Sequence, residues 1–265
     1  MPDAPRPPVS EVVHSVAVAR QNALSGPLLP SVLGEWFNEH SRVETAPPYE
    51  IPLEPVDPTA SIQGPPRLQV LAAQPLPRYW LISADDQELV QVQPDYLALN
   101  WRERNDASGY PGYAVMRARF LDLLETVEAG LSRHQGVLKP TRAELTYINT
   151  IRPSSLWSTH GDTHKLINVT LPAGATYEQL SFSYSQPLIG AEGEFAGRLH
   201  VILNPTVDWV KQEPQLTLTL TARSADLSQQ SIGRVPTFMD QAHLAIERSF
   251  LNLISKEARS AWGLK

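Results

Sequence analysis

Six consecutive residues carry the densest chemistry in the chain. Thr159-His160-Gly161-Asp162-Thr163-His164 places two imidazoles and one carboxylate side by side. Imidazole with carboxylate suits zinc, iron or nickel, and a loop can bend such groups onto one ion. A metal-dependent hydrolase built on His160, Asp162 and His164 is therefore one reading. A catalytic site needs three protein ligands and a structural one four, and no second His/Asp cluster follows to complete the set. The plainer reading is a polar loop in which Asp162 caps a turn.

Two further groups could recognise a ligand or a partner. Asn100, Arg102, Tyr110 and Tyr113 flank a strand-to-helix turn, where a guanidinium and two phenol rings could border a groove by stacking and hydrogen bonding. The plainer alternative puts Trp101 in the core, Asn100 and Tyr110 on turn backbone and Arg102 in water. Tyr147 and Asn149, with Glu144, form a polar row on a strand that faces a cavity, a partner or solvent. Asp85-Asp86 reads as a turn rather than an acid/base pair, because adjacent hairpin residues point apart. No GxSxG or GxxxxGK pattern occurs, and the segment from Gly190 to Gly197 holds Glu192 and Glu194, which repel phosphate. No cofactor is expected.

The elements that must position these groups follow from periodicity. Val9 to Arg20 alternates with one face more apolar than the other, as a strand does, and residues 30 to 42 predict a short helix. A Pro-studded loop from Ala46 to Pro66 leads to a strand at Arg67 to Ala73. Strands at Tyr79–Ser83, Glu88–Gln93 and Tyr96–Arg102 are joined by Asp- and Pro-bearing turns, and Gln91 and Gln93 suggest one wet face. From Gly112 the period changes to that of a helix, with Met116, Phe120, Leu123, Leu124, Val127 and Leu131 in a stripe and Gly136 suited to the left-handed C-terminal position. Arg117, Arg119, Asp122, Glu125 and Glu128 read as its solvated face.

The second half has the same order. Strands are predicted at Ala143–Arg152, Gln179–Ser185, Gly197–Asn204 and Gln215–Arg223. A closing helix from Pro236 carries Phe238, Ala242, Ile246 and Phe250 inward and His243, Glu247 and Arg248 outward. The expectation is an α+β protein with antiparallel sheets, each covered by one long amphipathic helix. It has two pseudo-duplicated halves, 1–136 and 137–265, packed as one unit, with each half reading strand, insertion, three or more strands, helix.

Composition bounds the function. The chain has 265 residues, 42% hydrophobic and 19% charged, which is a globular composition, and its net charge of −6 offers no basic field for a phosphate backbone. Nucleic acid is therefore not an expected partner. The absence of cysteine removes disulfides, thiolate nucleophiles and Cys-ligated zinc. The N-terminal MPDAPRPPVSEVV has no apolar signal region and no stretch is long enough to span a membrane, so a cytoplasmic location is expected.

The runs LVQVQPDYLALNWR, Tyr110-Pro-Gly-Tyr113 and Tyr147-Ile148-Asn149 lie within a pattern that extends from PPVSEVV to the final helix ending in SAWG. In these runs the chain resembles an uncharacterised, sporadically distributed bacterial family of about this size. The resemblance implies an accessory role of the kind found in phage-defence or toxin–antitoxin loci, and carries no catalytic residue. The expected function is a non-enzymatic interaction component, an adaptor, inhibitor or regulator of a protein encoded nearby, with sheet edges that could also pair into a homodimer. The alternative is a small-ligand module with a cavity between sheet and helix, bordered by Arg102, Tyr147 and Asn149.

Overall fold

Period-two alternation and two long apolar stripes assemble into one layer of strands under one layer of helices. The computed structural model of the chain describes residues 7–57, 76–104, 109–172 and 177–264. The first half contains β1 (Val9–Val18), the short helices α1 (Leu29–Leu33) and α2 (Glu35–Glu39), β2 (Arg42–Ala46), β3 (Arg78–Ile82), β4 (Glu88–Gln93), β5 (Tyr96–Arg102) and α3 (Tyr113–Arg133). The second contains β6 (Pro140–Ile151), α4 (Thr163–Leu166), β7 (Phe182–Ile189), β8 (Phe195–Asp208), β9 (Glu213–Ser224), α5 (Arg234–Leu253) and α6 (Lys256–Ala261). The strand expected at Arg67 to Ala73 lies outside the described residues.

The strands form a single nine-stranded sheet in the order β2-β3-β4-β5-β1-β6-β9-β8-β7. This corrects the expectation of separate sheets in duplicated halves. β1 and β6 pair antiparallel from Val9↔Asn149 to Val18↔Pro140, at the centre of the sheet. The reason is physical: Val12, His14, Ser15 and Val16 are fully buried, and an unpaired β1 edge would leave their backbone groups without partners.

On one face Val12, Val16, Val90, Leu97, Leu99, Leu145, Leu199, Val201, Leu218 and Leu220 form the core with the stripes of α3 and α5. α3 lies over β1 and β5, α5 over β6, β8 and β9, and the two helices touch. α1 packs on α3 so closely that a Cβ at Gly130 would fall 2.3 Å from the Val32 carbonyl oxygen. The helix expected over residues 30 to 42 is broken at Gly34, whose φ of 58° no helix allows. α3 ends in a Schellman arrangement, Gly136 N–H to Leu131 O and Gln135 N–H to Ser132 O, with Gln135 rather than Gly136 left-handed at φ 59°. A Cβ at Gly136 would meet only side-chain atoms, Gln21 Oε1 at 2.8 Å first. The final helix stops at Leu253, and α6 follows after Ser255, whose hydroxyl accepts from Ala258 N–H.

The other face is not simply wet. Gln91 and Gln93 are buried, as are Tyr96, Ala98 and Asn100. A strap that includes Tyr49, Ile51 and Glu54 crosses this face. Tyr49 and Ile51 pack with Ala17, Tyr96 and Ala98. Glu54 Oε2 accepts from Arg198 at 3.1 Å and Glu54 Oε1 lies 2.6 Å from His200 Nε2.

Candidate functional site

The register separates residues that lie close in sequence. Asn100 shares a face with Gln91 and Glu11: Gln91 Nε2 donates to Asn100 Oδ1 at 2.7 Å, and Asn100 Nδ2 donates to Glu11 Oε1 at 2.5 Å. Arg102 donates to Asp86 Oδ1 at 2.8 Å, and Arg104 and Arg42 bind the same carboxylate. Asp86 thus gathers three guanidiniums at the β3–β4 turn. Burial raises its pKa, but the Arg104 hydrogen bond and the charges of Arg102, Arg104 and Arg42 together outweigh it and carry it below the ordinary value.

Tyr110, Tyr113 and Tyr147 meet on the opposite, helix-covered face. The Tyr147 hydroxyl lies 3.1 Å from that of Tyr110 and 3.2 Å from His243 Nδ1. Tyr113 stacks on His243 with ring centroids 3.8 Å apart and planes 6° apart. The Tyr113 hydroxyl donates to Asp240 Oδ1 at 2.7 Å, and Arg117 grips the same carboxylate with bonds of 2.6 and 2.8 Å. Arg117 and His243, read from the sequence as solvated, instead tie α3 and α5 together. Arg119 likewise lies 4.1 Å from the Trp36 ring centroid and binds Glu88, while Asp122 accepts from Trp36 Nε1. Beneath Tyr113 lies His14, fully buried, with no partner on either ring nitrogen. His14 shares its face of β1 with Val12 and Val16, and nothing in the local alternation points to the second imidazole from α5.

Burial sets the protonation of this cluster. It raises the phenols, Tyr110 to about 12 and Tyr113 and Tyr147 further, so all three are neutral donors at physiological pH. It also lowers His243 against the opposing pull of Glu247 and Asp240, and drives His14 to about 3, with the charges of His243 and Arg117 adding to the effect. The cluster is an uncharged network bounded by one Arg117–Asp240 ion pair.

Asn149 shares the Tyr147 face of β6 and donates to Leu218 O at 3.0 Å, whereas Glu144 lies on the strap side, bound by Arg223 at 2.5 Å and Tyr49 at 3.1 Å. The row read along β6 is therefore split between two faces.

His160, Asp162 and His164 each have protein partners. Asp162 forms a capping box with Thr159 and an ion pair with Lys165 at 2.6 Å. His160 Nε2 lies 2.9 and 3.0 Å from the carbonyls of Thr206 and Gln215, and His164 Nδ1 lies 2.9 Å from Gly161 O. Among the described residues no group of three or more His, Asp or Glu side chains is placed to hold a metal ion.

A surface feature that sequence reading missed lies at the end of the sheet. β7 is the last strand, and among the described residues nothing pairs with its outer side. Between β7 and α5 runs an open groove of about 610 Å³, floored by Tyr184, Gln186 and Leu188 and walled by Leu244, Arg248 and Asn252. Leu244 is 58% exposed. Arg248 is exposed, and among the described residues no carboxylate pairs with it. The only signals in sequence were the short β7 alternation and an outward Arg on α5. Among the described residues no helix is long and apolar enough to cross a membrane. No protein-family model, curated protein or solved structure matches this chain.

Proposed function

We propose that the chain is a non-enzymatic protein-interaction component of a bacterial accessory system, an adaptor or regulator that takes an extended segment of a neighbouring effector along β7. The observation that carries this reading is the unpaired outer edge of β7 beside the β7–α5 groove. An edge strand offers a row of backbone donors and acceptors to an added strand, and pockets beside it select alternate side chains. Pro187 has no N–H to give, so the added ladder would run along Phe182 to Gln186. Leu188 and Leu244 would take an apolar side chain, and the unpaired Arg248 a carboxylate of the incoming segment.

A random peptide library displayed on phage and selected against the purified protein tests the reading. Enriched peptides should combine an acidic residue with alternating apolar ones. Their affinity should fall by about tenfold, roughly 1.4 kcal/mol, in Arg248→Glu and further in Leu244→Asp. Peptides that bind both variants as tightly as the parent would place the interaction elsewhere. If the protein also co-purifies with no product of its adjacent genes, the reading loses its basis.

A further inference from the structure

The strap-side face of the sheet holds several arginines, and nearly all are matched to an acid. Arg198 and Arg223 meet Glu54 at 3.1 and 3.4 Å, Arg142 reaches Glu50 at 3.5 Å, and Arg102 binds Asp86 at 2.8 Å. Arg78 is the exception among the described residues. Its guanidinium lies over the rings of Tyr49 and Trp80, 5.6 Å from each centroid, and no carboxylate pairs with it. Burial lowers its pKa, and the groups that act in the other direction are the phenols of Tyr96 and Tyr49.

Orphaned polar atoms collect around it. Arg78 Nε and Trp80 Nε1 are buried with no acceptor, although buried donors are nearly always satisfied. Gln91, the cross-strand neighbour of Trp80, is 6% exposed, and its Oε1 also has no partner while its Nε2 is used by Asn100. Glu44, on the other side of Trp80, is already held by Arg42 at 2.8 Å.

We propose that Arg78, Trp80 and Gln91, beside Tyr49, form a binding site for a small ligand bearing an oxyanion, a carboxylate or a phosphate monoester. The guanidinium fork supplies charge and two parallel donors, and the indole N–H adds a neutral one. Gln91 Oε1 accepts from a hydroxyl or N–H on the same ligand. The two rings hold the guanidinium in place and shield it from water, which strengthens its attraction for an anion. This site lies on the opposite face of the sheet from α5 and stands independently of the β7 groove.

The experiment follows the indole N–H resonances of ¹⁵N-labelled protein during titration with acetate and with inorganic phosphate at constant ionic strength. The expected result is a saturable shift of one indole signal, absent in Trp80→Phe and weakened at least tenfold in Arg78→Met. Arg78→Lys, which keeps the charge but loses the fork, should be intermediate and guards against a Met variant that fails to fold. Response to phosphate alone would assign a phosphate ester, and response to acetate alone a carboxylate. No saturable shift with either anion, or identical shifts in the Arg78 variants, would overturn the proposal.

Discussion

His14 occupies a position that a hydrocarbon side chain would fill at less cost. A neutral imidazole always carries one donor and one acceptor, and here both are buried without partners, a penalty of about 1–3 kcal/mol per group. The unfolded chain returns His14 to an ordinary pKa of 6.5, whereas the folded protein holds it near 3. The unfolded state therefore takes up a proton that the folded state refuses once the pH falls through 6.5. Stability drops by about 1.4 kcal/mol per pH unit across that window and levels off near the folded value. His14→Leu should remove the His14 share of this slope, leaving the part that comes from His243, whose pKa burial also lowers, and add about 1 kcal/mol at neutral pH. Urea unfolding of both proteins above pH 5 measures it, because buried carboxylates such as Glu54 contribute only at lower pH; a slope left unchanged by the substitution would exonerate His14. The apolar setting of His14 was legible in the alternation of Val12, Val16 and Val18. Its encounter with Tyr113 and His243 was not, because local periodicity does not say which helix covers a strand.

At the scale of elements, local rules served well where local forces decide. β4 and β5 were legible to the residue, since their turns carry Asp and Pro and their faces alternate without interruption. The strap was not legible, because it is held by charge rather than by periodicity. Burial raises the Glu54 pKa, but the hydrogen bonds from His200 and Arg198 and the charges of His200 and Arg223 outweigh it and hold the carboxylate ionised below its usual range. That stability is present above the ordinary carboxylate range and is lost as pH falls through the lowered value. Removing one member of a buried ion pair leaves its partners uncompensated, at about 3–5 kcal/mol. Glu54→Gln should therefore destabilise by about that amount and release the strap, read as faster hydrogen exchange at Tyr49 and Ile51. Slow exchange at both positions in the variant would mean that apolar contacts with Tyr96 and Ala98 suffice to hold the strap.

The whole molecule turns on the β1–β6 pair. The order of elements fits two small sheets as well as one large sheet, since each half has its own strands and its own helix. What decides is the burial of β1 on both flanks, with Val12 opposite Trp101 on β5 and Tyr147 on β6. Cutting the chain between residues 136 and 137 would turn β1 and β6 into open edges. It would also part α3 from α5, exposing Tyr113, His243 and the Arg117–Asp240 pair. Each fully buried Val or Leu laid open costs about 1.5–3 kcal/mol, and a domain holds only about 5–15 kcal/mol in reserve. Fragments 1–136 and 137–265 should therefore be unfolded or aggregated when expressed singly and recover native circular dichroism only when co-expressed. The intact chain should melt in one transition, with far-UV dichroism and tryptophan fluorescence coincident. A cooperative melt from either fragment alone would show that its half closes its own core, and that the central pair joins two folding units rather than making one.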